Sequence, residues 1–192
     1  MWYTTTVYFG SVRLSAGAGR IGMEHSGRYN STWAQSIRTA AAQRALSHAI
    51  ILAGSGDTEA AARYTAAAHL CRAESGRPCL TCGQCRKVME DIHPDCITVT
   101  DPEHKNVAVK LVRQVRDEMF IRPNEAEKKI YVFPQELGLE GQNALLKVLE
   151  EPPSYGVFML LTDNPEKLLP TVRSRCTELR LQALPEDILR RQ

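Results

Sequence analysis

His48-Ala-Ile-Ile-Leu-Ala53, running directly into Gly54-Ser55-Gly56-Asp57-Thr58, decides the architecture. A short unbroken apolar run that ends in glycine reads as a buried strand leaving the core through a tight turn, because a strand covered on both faces has no polar side to alternate with. Asp57 or Thr58 is placed to cap a helix, and Ala60 to Leu70 supplies helix formers with no breaker. Strand, glycine turn and helix in that order open a βαβ unit.

The same grammar repeats downstream. Cys96 to Thr100, Lys129 to Phe133, Gly156 to Thr162 and Thr177 to Leu181 read as four further strands, the fourth in chain order being the most apolar. Between them, Val109, Val112, Val115 and Met119 recur at helical spacing, and a helix from about Glu140 to Glu151 turns Leu145, Leu146 and Leu149 to the core before Pro152-Pro153 stops it. Arg86 to Ile92 reads as a short helix stopped at His93-Pro94-Asp95, and Trp33 to Leu46 is Ala-rich and helix-permissive. The expected fold is α/β with a mainly parallel five-stranded sheet.

The chain has 192 residues, 43% of them hydrophobic, with 12 glycines and 10 prolines, enough for one full domain with a real core. That excludes collagen, a disordered tail and a single membrane span; no run approaches the roughly 20 apolar residues a span needs, and residues 1–30 lack the apolar centre of a secretory signal. The chain therefore reads as soluble, with a cytoplasmic location and no membrane partner. Its net charge is +2, with Arg13, Arg20, Arg28, Arg38 and Arg44 against Glu24 in residues 1–56 and 19 bases against 21 acids in the rest. Scattered charge of this kind fits an atypical or poorly ordered leader over 1–32 better than a nucleic-acid arm or a targeting segment. A core domain is expected over 33–184, with Pro185 opening the short start of a further helical segment over 185–192.

Cys79-x-x-Cys82-x-x-Cys85, with Cys71 upstream, gathers four thiols within fifteen residues, and Gly76, Pro78 and Gly83 let the chain bend around them. Zinc takes tetrahedral sulfur, and in a reducing compartment metal ligation explains such spacing better than disulfides. An all-cysteine set leaves no open coordination position, so the expected ion is structural Zn²⁺ holding the insert 71–85 folded; an iron–sulfur cluster or unligated thiols are the alternatives. His69 and His93 are possible substitute ligands. Cys96 and Cys176 read as buried small hydrophobes, and His48 as a packing or capping group.

A phosphate-binding loop, G-x-x-x-x-G-K-S/T, belongs between the first strand and its helix. Gly54, Gly56, Asp57 and Thr58 occupy that position without a lysine, and Asp57 and Glu59 put negative charge where a phosphate needs N–H groups and cations. The third strand, where a magnesium-binding acid would stand, ends in Pro134-Gln135, and Glu136 comes late. Losing both halves argues against nucleotide hydrolysis; nucleotide binding without turnover stays open. Arg173 and Arg175 precede the last strand, as a solvated basic turn or as guanidinium offered to a phosphate held by another subunit.

Four stretches carry a family resemblance across Ala41 to Pro185, about three quarters of the chain. They are Leu46-Ser-His-Ala49; Cys71 with Cys79-x-x-Cys82-x-x-Cys85 and His93-Pro-Asp95; Gln142-Asn-Ala-Leu-Leu-Lys-Val-Leu-Glu-Glu-Pro-Pro153; and Leu161-Thr-Asp-Asn-Pro-Glu-Lys-Leu-Leu-Pro-Thr-Val-Arg-Ser-Arg-Cys176. They resemble the δ′-type subunits of the bacterial DNA polymerase III clamp loader. The resemblance implies an AAA+ core of the P-loop NTPase type with a four-cysteine zinc module inserted after its first helix.

It also implies that Ser174-Arg175-Cys176 is the motif whose arginine reaches ATP in a neighbouring subunit, with Arg173 the second choice. Thr162 and Asn164 fall at a sensor-like strand end. Implied partners are the τ/γ and δ subunits, with indirect contact to the sliding clamp and primer-template DNA, in a complex with DNA-directed DNA polymerase activity. The τ/γ motor resembles this chain in its cysteines and its Ser-Arg-Cys motif, but the motor pattern demands a complete phosphate loop, and its absence selects δ′. The expected function is a non-hydrolysing clamp-loader subunit that supplies an arginine finger; the alternatives are an active motor ATPase and a stand-alone zinc-binding nucleic-acid module. Three departures are the leader 1–32, in which Met23 is a conceivable second start, the missing lid and collar pattern after Leu181, and a shortened Cys71-to-Cys79 spacing.

Overall fold

Each of the five strands is parallel to its neighbours, and their spatial order is β2-β3-β4-β1-β5. In this computed structural model, residues 31–182 are described. The strands are β1 (Ala49–Gly54), β2 (Cys96–Thr98), β3 (Lys129–Phe133), β4 (Gly156–Thr162) and β5 (Thr177–Leu181). The helices are α1 (Thr32–Ala42), α2 (Thr58–Leu70), α3 (Gly83–Met89), α4 (Val109–Glu118), α5 (Leu139–Glu150) and the single turn α6 (Pro170–Arg173). Parallel pairing forces every connection to cross back over the sheet, which is why helices alternate with strands.

The unbroken apolar runs resolve into two cores with a period of two. Ala49, Ile51 and Ala53 of β1, Tyr131 and Phe133 of β3, and Phe158 and Leu160 of β4 meet Val112 and Val115 of α4 and Leu145 and Leu149 of α5 on one face. Ile50, Leu52, Ile130, Val132, Val157, Met159 and Leu161 meet the alanines of α2 and Val88 of α3 on the other. Small alanines let α2 lie close to the sheet, and Trp33 of α1 packs edge-on against Tyr64 of α2, ring centroids 5.7 Å apart.

Three local expectations are corrected. The second strand ends at Thr98 rather than Thr100, although Val99 N–H still donates to Val132 at 2.8 Å. The cysteine insert is not all loop: α3 begins at Gly83, so Cys85 stands on its first turn and the short helix expected to begin at Arg86 begins earlier. Cys96 and Cys176 are only partly buried, packed against the two cores, and burial pushes their thiols up to about 12 and about 11. The expected leader, apart from its last two residues, and the segment 185–192 lie outside the described residues. No helix among the described residues is long and apolar enough to cross a membrane.

Candidate functional site

The turn after β1 is closed by the end of β5. Gly54 has φ +123°, and a Cβ there would lie 2.2 Å from the carbonyl oxygen of Leu181; one on Gly56 would stand 3.0 Å from that of Gln182. Glycine is needed for both reasons, since an L side chain rarely adopts that φ and the two backbones nearly touch. Asp57 then caps α2, its Oδ1 accepting from Ala60 N–H at 2.8 Å. The helix N-terminus where a phosphate would sit is thus filled by the chain's own carboxylate.

The ends of β3 and β4 are likewise engaged internally. Gln135 accepts from Asp101 N–H at 2.8 Å and donates through Nε2 to the carbonyls of Asp101, His104 and Lys105, tying down the loop between β2 and α4. Glu136 pairs with Lys167, which also holds Asp163 at 3.0 Å. Thr162 Oγ1 accepts from Asn164 N–H at 3.1 Å, and Asn164 Oδ1 accepts from Glu166 N–H at 2.9 Å. These sensor-position residues cap a turn. Between the two strand ends lies a cleft of about 280 Å³ lined by Asn106, Gln135, Glu136, Thr162 and Lys167 among others.

The four cysteines converge. One ligand atom from each of Cys71, Cys79, Cys82 and Cys85 lies within 4.8 Å of all the others, and no histidine joins the group among the described residues. A tetrahedral ion with bonds of about 2.3 Å needs sulfurs roughly 3.8 Å apart, so the cluster has the right donors at nearly the right spacing. Backbone N–H groups already point at the sulfurs: Ala73 and Cys79 at Cys71, Cys82 at Cys79, and Cys85 at Cys82, at 3.4 to 3.5 Å. Burial alone would raise the Cys79 thiol, but hydrogen bonds from Thr81, Cys82 and Cys71 outweigh it and bring it down to about 6. Cys82 is lowered too, whereas burial raises Cys71 and Cys85. The donor set can hold a soft divalent ion, whose charge would favour thiolate at all four positions.

His93 belongs to a different network. Its Nε2 faces Gln84 at 2.6 Å and its Nδ1 accepts from Asp95 N–H at 3.0 Å. Asp95, fully buried, accepts from the backbone N–H groups of Asn124, Glu125 and Ala126 and from the Asn124 side chain. The His93-Pro94-Asp95 stretch therefore joins α3 to β2 and to the approach to β3. His48 Nε2 lies 3.3 Å from the Leu149 carbonyl oxygen near the end of α5, the capping role its position suggests.

Arg173 and Arg175 stand at the opposite end of the sheet from the β1 turn. Gly54 is in register with Leu181 and Ile50 with Thr177, and Arg175 precedes Thr177. The strand between spans about 13 Å. Arg175, one-third exposed, gives Nε to Glu150 Oε1 at 2.8 Å and Nη1 to the Thr171 carbonyl at 2.7 Å, while Nη2 also reaches Glu150. Arg173 pairs with Glu166 at 2.8 Å and Glu178 at 3.7 Å.

Reading the residues in isolation missed Glu150, Gln135 and Gln142 as partners. Gln142 is buried and bridges α5 to the segment after β4, donating to the Leu137 carbonyl at 2.9 Å and accepting from Leu169 N–H at 2.7 Å. Glu150 carried one usable hint: it is an acid at a helix C-terminus, where the macrodipole disfavours it.

The fold is similar to that of a DNA polymerase III gamma subunit-related protein from Thermotoga maritima. Its crystal structure matches 79% of this chain and 47% of its own at a TM-score of 0.52 and 23% identity. A family model described as DNA polymerase III, delta subunit matches residues 29–185. The chain belongs to this family of DNA polymerase III clamp-loader subunits. It is 30% identical to DNA polymerase III subunit delta′ of Bacillus subtilis over 72% of this chain and 43% of that one, and 36% identical to subunit delta′ of Yersinia pestis over 56% and 33%. It is also 31% identical to Bacillus subtilis subunit tau over 74% of this chain and 26% of tau. The chain spans less than half the length of each of these relatives.

Proposed function

We propose that this chain is a δ′-type, AAA+ clamp-loader subunit that does not hydrolyse ATP itself and supplies Arg175 to ATP bound by a neighbouring τ/γ-type subunit, in support of sliding-clamp loading during replication. The observation that carries the reading is the placement of Arg175 at the sheet end opposite the β1 turn. From there it cannot serve its own chain's turn and is open to another's. A fixed guanidinium beside a γ-phosphoryl is worth several orders of magnitude in turnover, about 10³ to 10⁵. The absent lysine, the Asp57 cap and the engagement of Gln135 and Glu136 support the non-hydrolysing half. The four cysteines support a structural zinc ion held by Cys71, Cys79, Cys82 and Cys85, with no position left for substrate.

The τ identity favours a second reading, an active motor. The two separate in one experiment: assemble the chain with τ/γ and δ subunits and measure ATP hydrolysis. Arg175→Ala is expected to leave the fold intact and to lower the ATPase of the assembly by at least tenfold. Hydrolysis by this chain alone would support the motor instead, and unchanged ATPase in the assembly would remove the trans role.

A further inference from the structure

We propose that Glu150 is the positioning residue for Arg175, fixing the plane in which the guanidinium meets a neighbour's triphosphate. The inference rests on the function proposed above and adds to it how the side chain is held. Arginine carries five N–H donors. Here Nε and one Nη2 hydrogen go to a single oxygen of Glu150, and Nη1 serves the Thr171 carbonyl at 2.7 Å and the Ser174 hydroxyl at 3.2 Å. One Nη2 N–H is left for an incoming phosphate oxygen.

Two features argue that the pair orients the arginine rather than locking it away. Glu150 and Arg175 are 47% and 33% exposed, so the guanidinium stays reachable from solvent while it is paired. Glu150 is also the last residue of α5, immediately before Glu151 and Pro152-Pro153, where a negative charge opposes the helix dipole and gives the helix nothing. Its use lies in what it touches. The double proline fixes where α5 ends, α6 carries Thr171, and between them the flexible arginine stem is anchored on two sides, so its ordering is completed before the partner arrives.

In the assembly with τ/γ and δ subunits, Glu150→Ala should lower kcat for ATP hydrolysis about tenfold with KM for ATP little changed, the pattern of a misplaced transition-state group. Glu150→Gln, which keeps an acceptor oxygen, should recover most of the rate. In this chain alone, the Arg175 Nε–H resonance should exchange slowly in the parent and rapidly in Glu150→Ala. Rates equal to the parent's in Glu150→Ala would overturn the proposal, and a rise in kcat would make Glu150 a brake instead. If Arg175→Ala leaves the assembly's ATPase unchanged, the trans role itself fails. Glu150 is then still judged by the Nε–H exchange, and fast exchange in the parent would show that it holds nothing.

Discussion

Gly54 and Leu181 meet so closely where β1 and β5 end that no side chain fits between them: a Cβ on Gly54 would fall 2.2 Å from the Leu181 carbonyl oxygen. Gly54→Ala therefore combines a strained φ with a backbone collision that only strand separation relieves. We expect a loss of more than about 2 kcal/mol of stability, seen as a lower midpoint in urea unfolding. A variant as stable as the parent would mean that the two strand ends are not held together.

Asp95 should set part of the acid stability. Burial alone would raise its carboxyl, but the N–H groups of Asn124, Glu125 and Ala126 outweigh this and hold its pKa below the usual 3.8. The folded state then binds fewer protons than the unfolded one as pH falls past that value. The contribution is complete above about pH 4 and is lost as pH drops through the depressed folded value. Asp95→Asn should cost about 2 to 3 kcal/mol at pH 7, and melts run between pH 5 and pH 2 should show the gap from the parent narrowing toward acid. A gap independent of pH would contradict this.

Metal removal gives a third check. The purified chain should carry about one zinc per molecule, and a strong chelator or Cys82→Ser should expose the 71–89 region to protease while lowering the melting temperature. A metal-free chain with the same melting temperature would leave the cysteines without this role.

Arg173 and Arg175 should separate in function. Arg173 is spanned by Glu166 and Glu178, one on each side of it in sequence, a surface arrangement worth about 0 to 1 kcal/mol. Arg173→Ala is expected to change the ATPase of the assembly by less than about threefold, against at least tenfold for Arg175→Ala. Equal losses would assign both arginines to the phosphate.

How far the sequence could be read follows from the range of the forces involved. β3, β4 and β5 have the ends expected of them, because the apolar runs of β3 and β4 with their nearby prolines, and the alternation of Leu179 and Leu181 with charged residues in β5, act over a few residues. The Asp57 cap was legible for the same reason. The order of the strands was not, since β1 lies between β4 and β5 through contacts made more than a hundred residues apart in both cases. Gln135 looked like a lost metal ligand; only the fold reveals the loop it secures. Glu150 reaches Arg175 across 25 positions, a pairing created by the way α5 and α6 come together.

The two sheet ends have unequal roles on the reading proposed above, and this bears on how many subunits of an assembly can fire. A domain that gives a cation at one end, while its own Asp57 carboxylate stands at the phosphate position of the other, completes a neighbour's catalytic centre but never houses one. On that reading each such member lowers the tally of working centres below the number of protomers, and the contacts on its two sides are not equivalent.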